Sequence, residues 1–325
     1  MRAIDVVSKA DGDTLSCVEL ADPVAGPGQL RIAVEAFGIN RADLLQRAGR
    51  YPAPPGESQI LGLEVAGRVE SLGDAALPFR VGDRVCALLA GGGYAEKVVV
   101  PGEQVMLLPD RYSFTEGAAI PEAFITAYAN LFCEGGLEAG QRVLIHGGSS
   151  GVGTAALQLA KYSGAIAACT VGSDTKAHAC RTLGAECTVN YRTHDFEVEV
   201  GAWTNQGVDV ILDIVGREYF EKNVRLLAPG GRLVCIATMS GADCSLDLRL
   251  LMRKRARIIG SVLRTRSARE KGGLVAGFQA RFGDALSRGE VRPVVDSVFS
   301  FDQVVEAHDR MRSSEHVGKI VVTLS

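Results

Sequence analysis

The eight cysteines of this 325-residue chain, at positions 17, 86, 133, 169, 180, 187, 235 and 244, form no C-x-x-C pair and no paired spacing. That pattern belongs to free thiols in a reducing compartment rather than to a disulfide framework. No apolar run is long enough to span a bilayer, and in MRAIDVVSKADGD acidic residues intervene before an apolar core of signal-peptide length can form. A cytoplasmic protein with no membrane partner is expected. Positive charge is not in excess: 35 Lys and Arg against 38 Asp and Glu leave a formal charge of −3. This argues against nucleic acid as a partner, although Arg249 to Arg269 is locally basic. The run Arg249 to Arg257 is assigned to the C-terminal end of a helix, where cations suit the dipole. Internal repeats and low-complexity segments are also missing.

What the chain does hold is a glycine-dense turn between two apolar patterns. In VLIHGGSSGVGTAALQLAKYSG, from Val143 to Gly164, the apolar run Val143, Leu144 and Ile145 reads as a strand. Val152, Ala155, Ala156, Leu159 and Ala160 then recur at helical spacing. The turn between them, with Ser150, Gly151, Val152 and Gly153 at the helix start, brings backbone N–H groups to a point where the helix dipole favours a phosphate. The glycines fall as G-x-x-x-G-x-G, not as the strict G-x-G-x-x-G fingerprint. Two readings stay open from the loop alone: an ordinary strand-to-helix turn, or a pyrophosphate cradle.

The rest of the chain favours the cradle. With 47% hydrophobic and 22% charged residues the composition is globular, and the length allows two cores. Leu30 to Ala36, Leu61 to Leu72 and Tyr94 to Val100 read as strands separated by Gly/Pro turns, which suggests a small barrel-like domain. Asn40 to Ala48 reads as helical. Ser113 to Glu116 is a capping box, Pro121 ends or kinks the helix it starts, and Phe124 to Phe132 forms another helix. Beyond the glycine loop, strands at Ile166–Val171, Cys187–Asn190, Val208–Asp213, Leu233–Ile236 and Arg257–Ser261 alternate with helices at Thr175–Leu183 and Tyr219–Leu227. Six strands so arranged predict a parallel doubly wound sheet that binds a dinucleotide at its carboxyl edge. The tail, with strands at Val294–Phe299 and Lys319–Leu324 and a helix at Val304–Met311, is expected to complete the first domain.

The second strand of that series ends at Thr170-Val171-Gly172-Ser173. Asp174 lies 21 positions after Gly153 and fits the loose spacing of an NAD ribose carboxylate, but it falls where a helix N-cap is expected. Lys176, one turn in, is placed to meet a 2′-phosphate, and NADPH is preferred.

In order along the chain, NRADLLQRAGRYPAPPG (40–56), LGLEVAGRV (61–69), AAIPEAFITAY (118–128), HGGSSGVGTAALQLAK (146–161) and HVGKIVV (316–322) resemble the zinc-independent quinone oxidoreductases. These are the zeta-crystallin-like group of the medium-chain dehydrogenase/reductases. SVLRTRSAREK (261–271) resembles the tumour-suppressor-inducible branch and its bacterial relatives. The catalytic zinc of the family's alcohol dehydrogenases needs a Cys within the segment FGINRAD and a His in G-H-E. Asn40 and Leu63 stand there, and no cysteines mark a structural zinc lobe between Ala87 and Val100.

The resemblance implies an α/β fold: a Rossmann-type doubly wound parallel sheet, residues 124–265, inserted in a GroES-like β-barrel catalytic domain, residues 1–123 and 266–325. It implies that Asn40 and Tyr51 border the nicotinamide and the substrate, and that Thr126 contacts the cofactor. Ser150 with the loop backbone takes the pyrophosphate, and Gly172, Ser173, Lys176 and Tyr191 surround the 2′-phosphate. Arg264 and the pair Gly318-Lys319 close over the nicotinamide end. A homodimer is implied as well, joined through the edge strand Arg257–Ser261. The expected activity is NADPH-dependent reduction of a quinone, with Tyr51 and Asn40 donating hydrogen bonds to the oxygen that gains charge. The rivals are an enoyl thioester reductase and a non-catalytic NADPH-binding sensor or structural protein.

Overall fold

The computed structural model describes residues 1–9, 12–74 and 77–324. The chain opens with an antiparallel pair that the sequence pattern does not announce, β1 (Arg2–Lys9) and β2 (Gly12–Glu19). Alternation of apolar and polar residues then builds β3 (Gln29–Ile39), whose Leu30, Ile32, Val34 and Ala36 are buried between half-exposed neighbours. After α1 (Arg41–Arg47) come β4 (Glu64–Leu72), β5 (Arg84–Leu88), β6 (Lys97–Pro101) and β7 (Val105–Leu107). The expected capping box at Ser113 starts a short α2 (Phe114–Gly117), and Pro121 opens α3 (Pro121–Tyr128) instead of kinking α2. Proline at the first helical position costs nothing, because that N–H has no helical partner. Residues 129–134 continue α3 as a π-turn.

The glycine loop separates β8 (Arg142–His146) from α4 (Gly151–Tyr162). The alternation continues through β9 (Ile166–Val171), α5 (Asp174–Thr182), β10 (Ala185–Asn190), α6 (Phe196–Trp203), β11 (Val208–Asp213), α7 (Arg217–Leu226), β12 (Leu227–Cys235), α8 (Leu248–Lys254) and β13 (Arg257–Gly260). All six strands pair in parallel, in the order β10-β9-β8-β11-β12-β13. The strand order reverses at β8, so the turn after β8 lies at the switch point where doubly wound sheets bind ligands. Leu144, Ala168, Ile211 and Leu233, one from each of four strands, pack in one core with Phe196 and Phe220.

The return begins with α9 (Ala268–Arg288), 21 residues that carry no helix signal in the sequence reading. Gly272, Gly273, Gly277 and Gly283 lower its intrinsic propensity. Burial of Leu274, Val275, Phe278, Phe282 and Leu286 along one stripe outweighs that cost. The chain then forms β14 (Val295–Ser300), α10 (Val304–Ser313) and β15 (Lys319–Thr323). β15 lies between β14 and β3 in a seven-stranded sheet of order β14-β15-β3-β4-β5-β7, with β6 also paired to β3. Ile320 and Val322 of this last strand share a core with Ile32, Phe37, Val65 and Val85.

By contact, the chain forms two compact units: residues 1–125, 263–288 and 293–325 in one, 126–262 and 289–292 in the other. Residues 289–292 join the second unit, where the Arg292 backbone exchanges two hydrogen bonds with the Gln158 side chain, at 2.9 and 3.0 Å. No helix among the described residues is long and apolar enough to cross a membrane.

Candidate functional site

In the second unit the site is built from main chain. Gly147 turns the chain out of β8 at φ +70°, a conformation open to glycine. Ser150 caps α4: its N–H donates to Gly147 O at 2.9 Å, and its Oγ accepts the Gly153 N–H at 3.0 Å. A Cβ on Gly153 would lie 2.3 Å from Gly147 O, so only glycine fits where helix and turn touch. Gly151 and Val152 occupy the first two helical positions, whose N–H groups have no partner within the helix. They are the donors a pyrophosphate would meet. Thr126 is 8% exposed, and its carbonyl accepts the Asn130 amide at 2.8 Å.

The ends of β9 and β10 form a second cluster. Ser173, not Asp174, is the N-cap of α5, its hydroxyl accepting the Lys176 N–H at 3.3 Å. Asp174 is therefore shifted from the expected cap to the first helical position, where its exposed carboxylate accepts the Asn190 amide at 2.9 Å. Lys176 stands half-buried one turn in. The Tyr191 N–H donates to Val171 O at 3.0 Å and brings the ring against Gly172, where a Cβ would lie 2.7 Å from the tyrosine oxygen. Beside it is a cavity of about 330 Å³ lined by Tyr191, Arg192, His194, Phe196, Tyr219 and Lys222. Arg192 and Lys222 were not singled out by the sequence, which marked Tyr191 alone.

The first unit holds a different construction, made of buried charge. Glu64 on β4 is fully buried and accepts three donors: Lys319 Nζ at 2.6 Å, Asn40 Nδ2 at 3.0 Å and the Glu122 N–H at 2.9 Å. Lys319 spends its other protons on Ile39 O at 2.9 Å and Asn40 Oδ1 at 2.5 Å. The Asn40 side chain is thus engaged inside the protein on both its oxygen and its nitrogen, bridging Lys319 and Glu64. Beneath it, Asp43 accepts the Asn40 N–H at 2.7 Å, Tyr94 Oη at 2.9 Å and the Gly62 N–H at 3.3 Å. Burial pushes its carboxyl up to about 6 against these bonds. His308, 3.1 Å from Tyr94 Oη, is pushed down to about 3 by burial and by Arg47 and Arg312, so it is neutral.

Tyr51 lies half-buried on the loop after α1. Arg264, 4% exposed, fixes that loop: its guanidinium donates to Ala90 O at 2.7 Å, Gln46 Oε1 at 2.7 Å and Tyr51 O at 3.2 Å, and stands 5.2 Å from the Tyr51 ring centre. The bonds of Arg264 in this unit are those of a strut. Sequence reasoning assigned no role to Glu64, Asp43 or Glu122. A charged residue inside the apolar run LGLEVAGRV was the one signal available for Glu64.

Residues 183–322 match the family described as zinc-binding dehydrogenase, and residues 26–110 the alcohol dehydrogenase GroES-like domain. The chain is 33% identical to the synaptic vesicle membrane protein VAT-1 homolog of Homo sapiens, over 93% of this chain and 80% of that protein. It is 31% identical to the quinone oxidoreductase of Homo sapiens, over 100% and 98%. Among solved structures, the quinone oxidoreductase of Thermus thermophilus, determined also as its complex with NADPH, is 33% identical with a TM-score of 0.84 over the full length of both chains. An NAD-dependent alcohol dehydrogenase has 29% identity and a TM-score of 0.86 over both full lengths. The CurK enoyl reductase has 28% and 0.85 over 99% and 98%.

Zinc does not fit the residues here. Among the described residues no three His, Cys, Asp or Glu side chains gather as a metal would require, Leu63 is buried in the core, and the Lys319 ammonium already lies between Asn40 and Glu64. A parallel sheet with a phosphate-ready turn at its switch point and a GroES-like domain agree with these relatives over the whole chain: it belongs to the medium-chain dehydrogenase/reductase family, as an oxidoreductase with a nicotinamide cofactor.

Proposed function

We propose that the protein reduces quinones with NADPH and without zinc. The observation that carries this reading is the saturated Asn40–Glu64–Lys319 cluster, in which an ammonium ion neutralises the buried carboxylate. An acceptor suited to such a site is one that is electrophilic without a Lewis acid, as a quinone is. The cofactor, when bound, supplies a hydride. Gly151, Val152 and Ser150 hold its pyrophosphate, Thr126 touches it ahead of the loop, and Gly172, Ser173, Lys176 and Tyr191 receive the 2′-phosphate. Asn40 and Lys319 keep the floor of the acceptor site rigid, and Arg264 holds the Tyr51 loop. The Tyr51 hydroxyl donates to the oxygen that gains charge, and it keeps its proton at neutral pH because burial and Glu122 raise it from its ordinary value.

Kinetics of two variants test the assignment. Tyr51→Phe is expected to lower kcat with a quinone about 10²-fold, the usual scale for a lost acid or oxyanion donor. Lys176→Ala is expected to raise KM for NADPH about tenfold while leaving NADH unaffected, the scale of one charge-assisted hydrogen bond. Unchanged turnover in Tyr51→Phe contradicts the first role, and an equal effect on both cofactors the second. Reduction of an enoyl thioester is the second reading, favoured by the likeness to the CurK enoyl reductase.

We extend the proposal to a cytoplasmic homodimer. All eight cysteines are free, and the outer edge of β13 pairs with no strand among the described residues. Ile258 is 36% exposed there. Pairing two such edges about a twofold axis covers them. Light scattering at micromolar concentration is expected to give twice the monomer mass; a monomer contradicts the dimer.

A further inference from the structure

The two N–H groups that open the turn after β8, those of Gly147 and Gly148, are tied to the neighbouring strand. Both end on Thr170 of β9: Gly148 N–H on its carbonyl at 3.0 Å, Gly147 N–H on its Oγ1 at 3.4 Å. Thr170 is the parallel-sheet partner of His146, the last residue of β8. His146 Nδ1 lies 3.0 Å from Thr170 Oγ1, and its Nε2 lies 2.7 Å from Oδ1 of Asn223 on α7. His146, Thr170 and Asn223 are all buried. Phe196 and Tyr219 pack edge-to-face on the imidazole, with ring centres 5.0 and 4.8 Å away, and hold its plane. A chain of hydrogen bonds therefore runs inside the second unit from α7, through the imidazole, to the first residue of the turn.

That chain has one direction. A carboxamide oxygen can only accept, so the proton of the bond to Asn223 sits on His146 Nε2. Burial holds the imidazole below its ordinary value, so it is neutral at pH 7 and carries that one proton. Nδ1 is then an acceptor, and the Thr170 hydroxyl donates to it. With its proton used there, Thr170 Oγ1 meets the Gly147 N–H as an acceptor. The Asn223 amide nitrogen, also buried, has no partner among the described residues. An unpaired buried N–H is costly, and the bond that this amide does make is the one that sets the imidazole.

We propose that His146 is a positioning residue for the dinucleotide pyrophosphate: held as its Nε2–H tautomer by Asn223, it turns the Thr170 hydroxyl so that the oxygen receives the Gly147 N–H and fixes the start of the turn. The inference rests on the reading of that turn as a pyrophosphate site and is independent of which acceptor is reduced. What the turn sets is the beginning of α4. Gly147 O accepts the Ser150 N–H at 2.9 Å and lies against Gly153, so a rotation at Gly147 moves the N-cap. The unpartnered N–H groups of Gly151 and Val152 move with it. Without the Thr170 hydroxyl, the Gly147 N–H loses its acceptor and His146 Nδ1 its donor.

Two measurements on the full chain test it. Nitrogen-15 NMR of the cofactor-free wild-type protein at pH 7, labelled at histidine and with His146 assigned through its main chain, should show the neutral Nε2–H tautomer. An Nδ1–H tautomer or an imidazolium overturns the proposal without recourse to any variant. Fluorescence titration then compares NADPH and NADH binding to the wild type, Thr170→Val and Thr170→Ser. Thr170→Val should raise Kd about tenfold for both cofactors alike, since both carry the pyrophosphate and the loss is on the scale of one hydrogen bond. Thr170→Ser, which keeps the hydroxyl, should bind both as the wild type does. A Thr170→Val protein that binds as tightly as the wild type, a loss confined to NADPH, or a loss that Thr170→Ser shares overturns the positioning role. A wild-type protein that binds neither cofactor overturns the pyrophosphate reading and this proposal with it, and the tautomer, read without cofactor, tells the two failures apart.

Discussion

The two units solve opposite problems. On the proposed reading, the dinucleotide half takes up charge that arrives with a ligand, through backbone N–H groups and side chains that stay partly in water: Ser150, Ser173 and Lys176 are half-buried and Tyr191 is 47% exposed. The acceptor half carries its own charge and buries it: Glu64, Asp43 and Lys319 are each under 5% exposed and bonded to one another's neighbours. A half made of main chain tolerates side-chain change and forbids added bulk. A half made of buried ions tolerates neither loss nor neutralisation of one partner.

The sharpest contrast is expected on removing one ion. Lys319→Met leaves Glu64 buried and unpaired and should cost about 3–5 kcal/mol, read by urea unfolding. Adding Glu64→Gln to it should recover part of that loss. Lys176→Ala, in the other half, should change stability by less than about 0.5 kcal/mol. Equal costs would erase the distinction.

Next in size is the pH dependence of the acceptor half. His308 is held at about 3, below its ordinary value, so the unfolded chain binds its proton first as pH falls below 6.5. The stability it confers is full above 6.5 and lost progressively towards 3. Asp43, held up at about 6, has the opposite sign: its contribution is full below about 4 and lost as pH rises to 6. Glu122, held up at about 8 by burial, has the same sign as Asp43, so between about 5 and 6 the two raised carboxyls of this half outweigh its one depressed histidine, and their joint contribution to unfolding free energy should fall as pH rises. In His308→Gln that fall should steepen, and an unchanged slope would remove His308 from the account.

Added bulk tests the dinucleotide half. Gly153→Ala places a methyl 2.3 Å from Gly147 O and should cost about 1–3 kcal/mol and weaken NADPH binding. The smallest effect is that of Ser150→Ala, which removes the cap on Gly153 N–H and should cost about 1 kcal/mol.

The same contrast explains what was readable in the sequence. The glycine loop, its flanking strand and helix, and all six parallel strands lie in local patterns, so spacing alone located them. Placing the N-cap at Asp174 instead of Ser173 was an error of one residue between two good capping types. The acceptor half has no such pattern, because Asn40, Glu64, Glu122 and Lys319 meet only through the sheet pairing of β3 with β4 and β15 and through the start of α3. Helix α9 escaped for a related reason: its glycines argue against a helix locally, and tertiary burial of Phe278 and Phe282 overrides them.

The most direct test of the central claim is the initial rate of NADPH and of NADH oxidation by the purified protein with para-quinones, ortho-quinones and an enoyl thioester. The account predicts the fastest turnover with NADPH and a quinone. Oxidation that requires the thioester, or that prefers NADH, would contradict it.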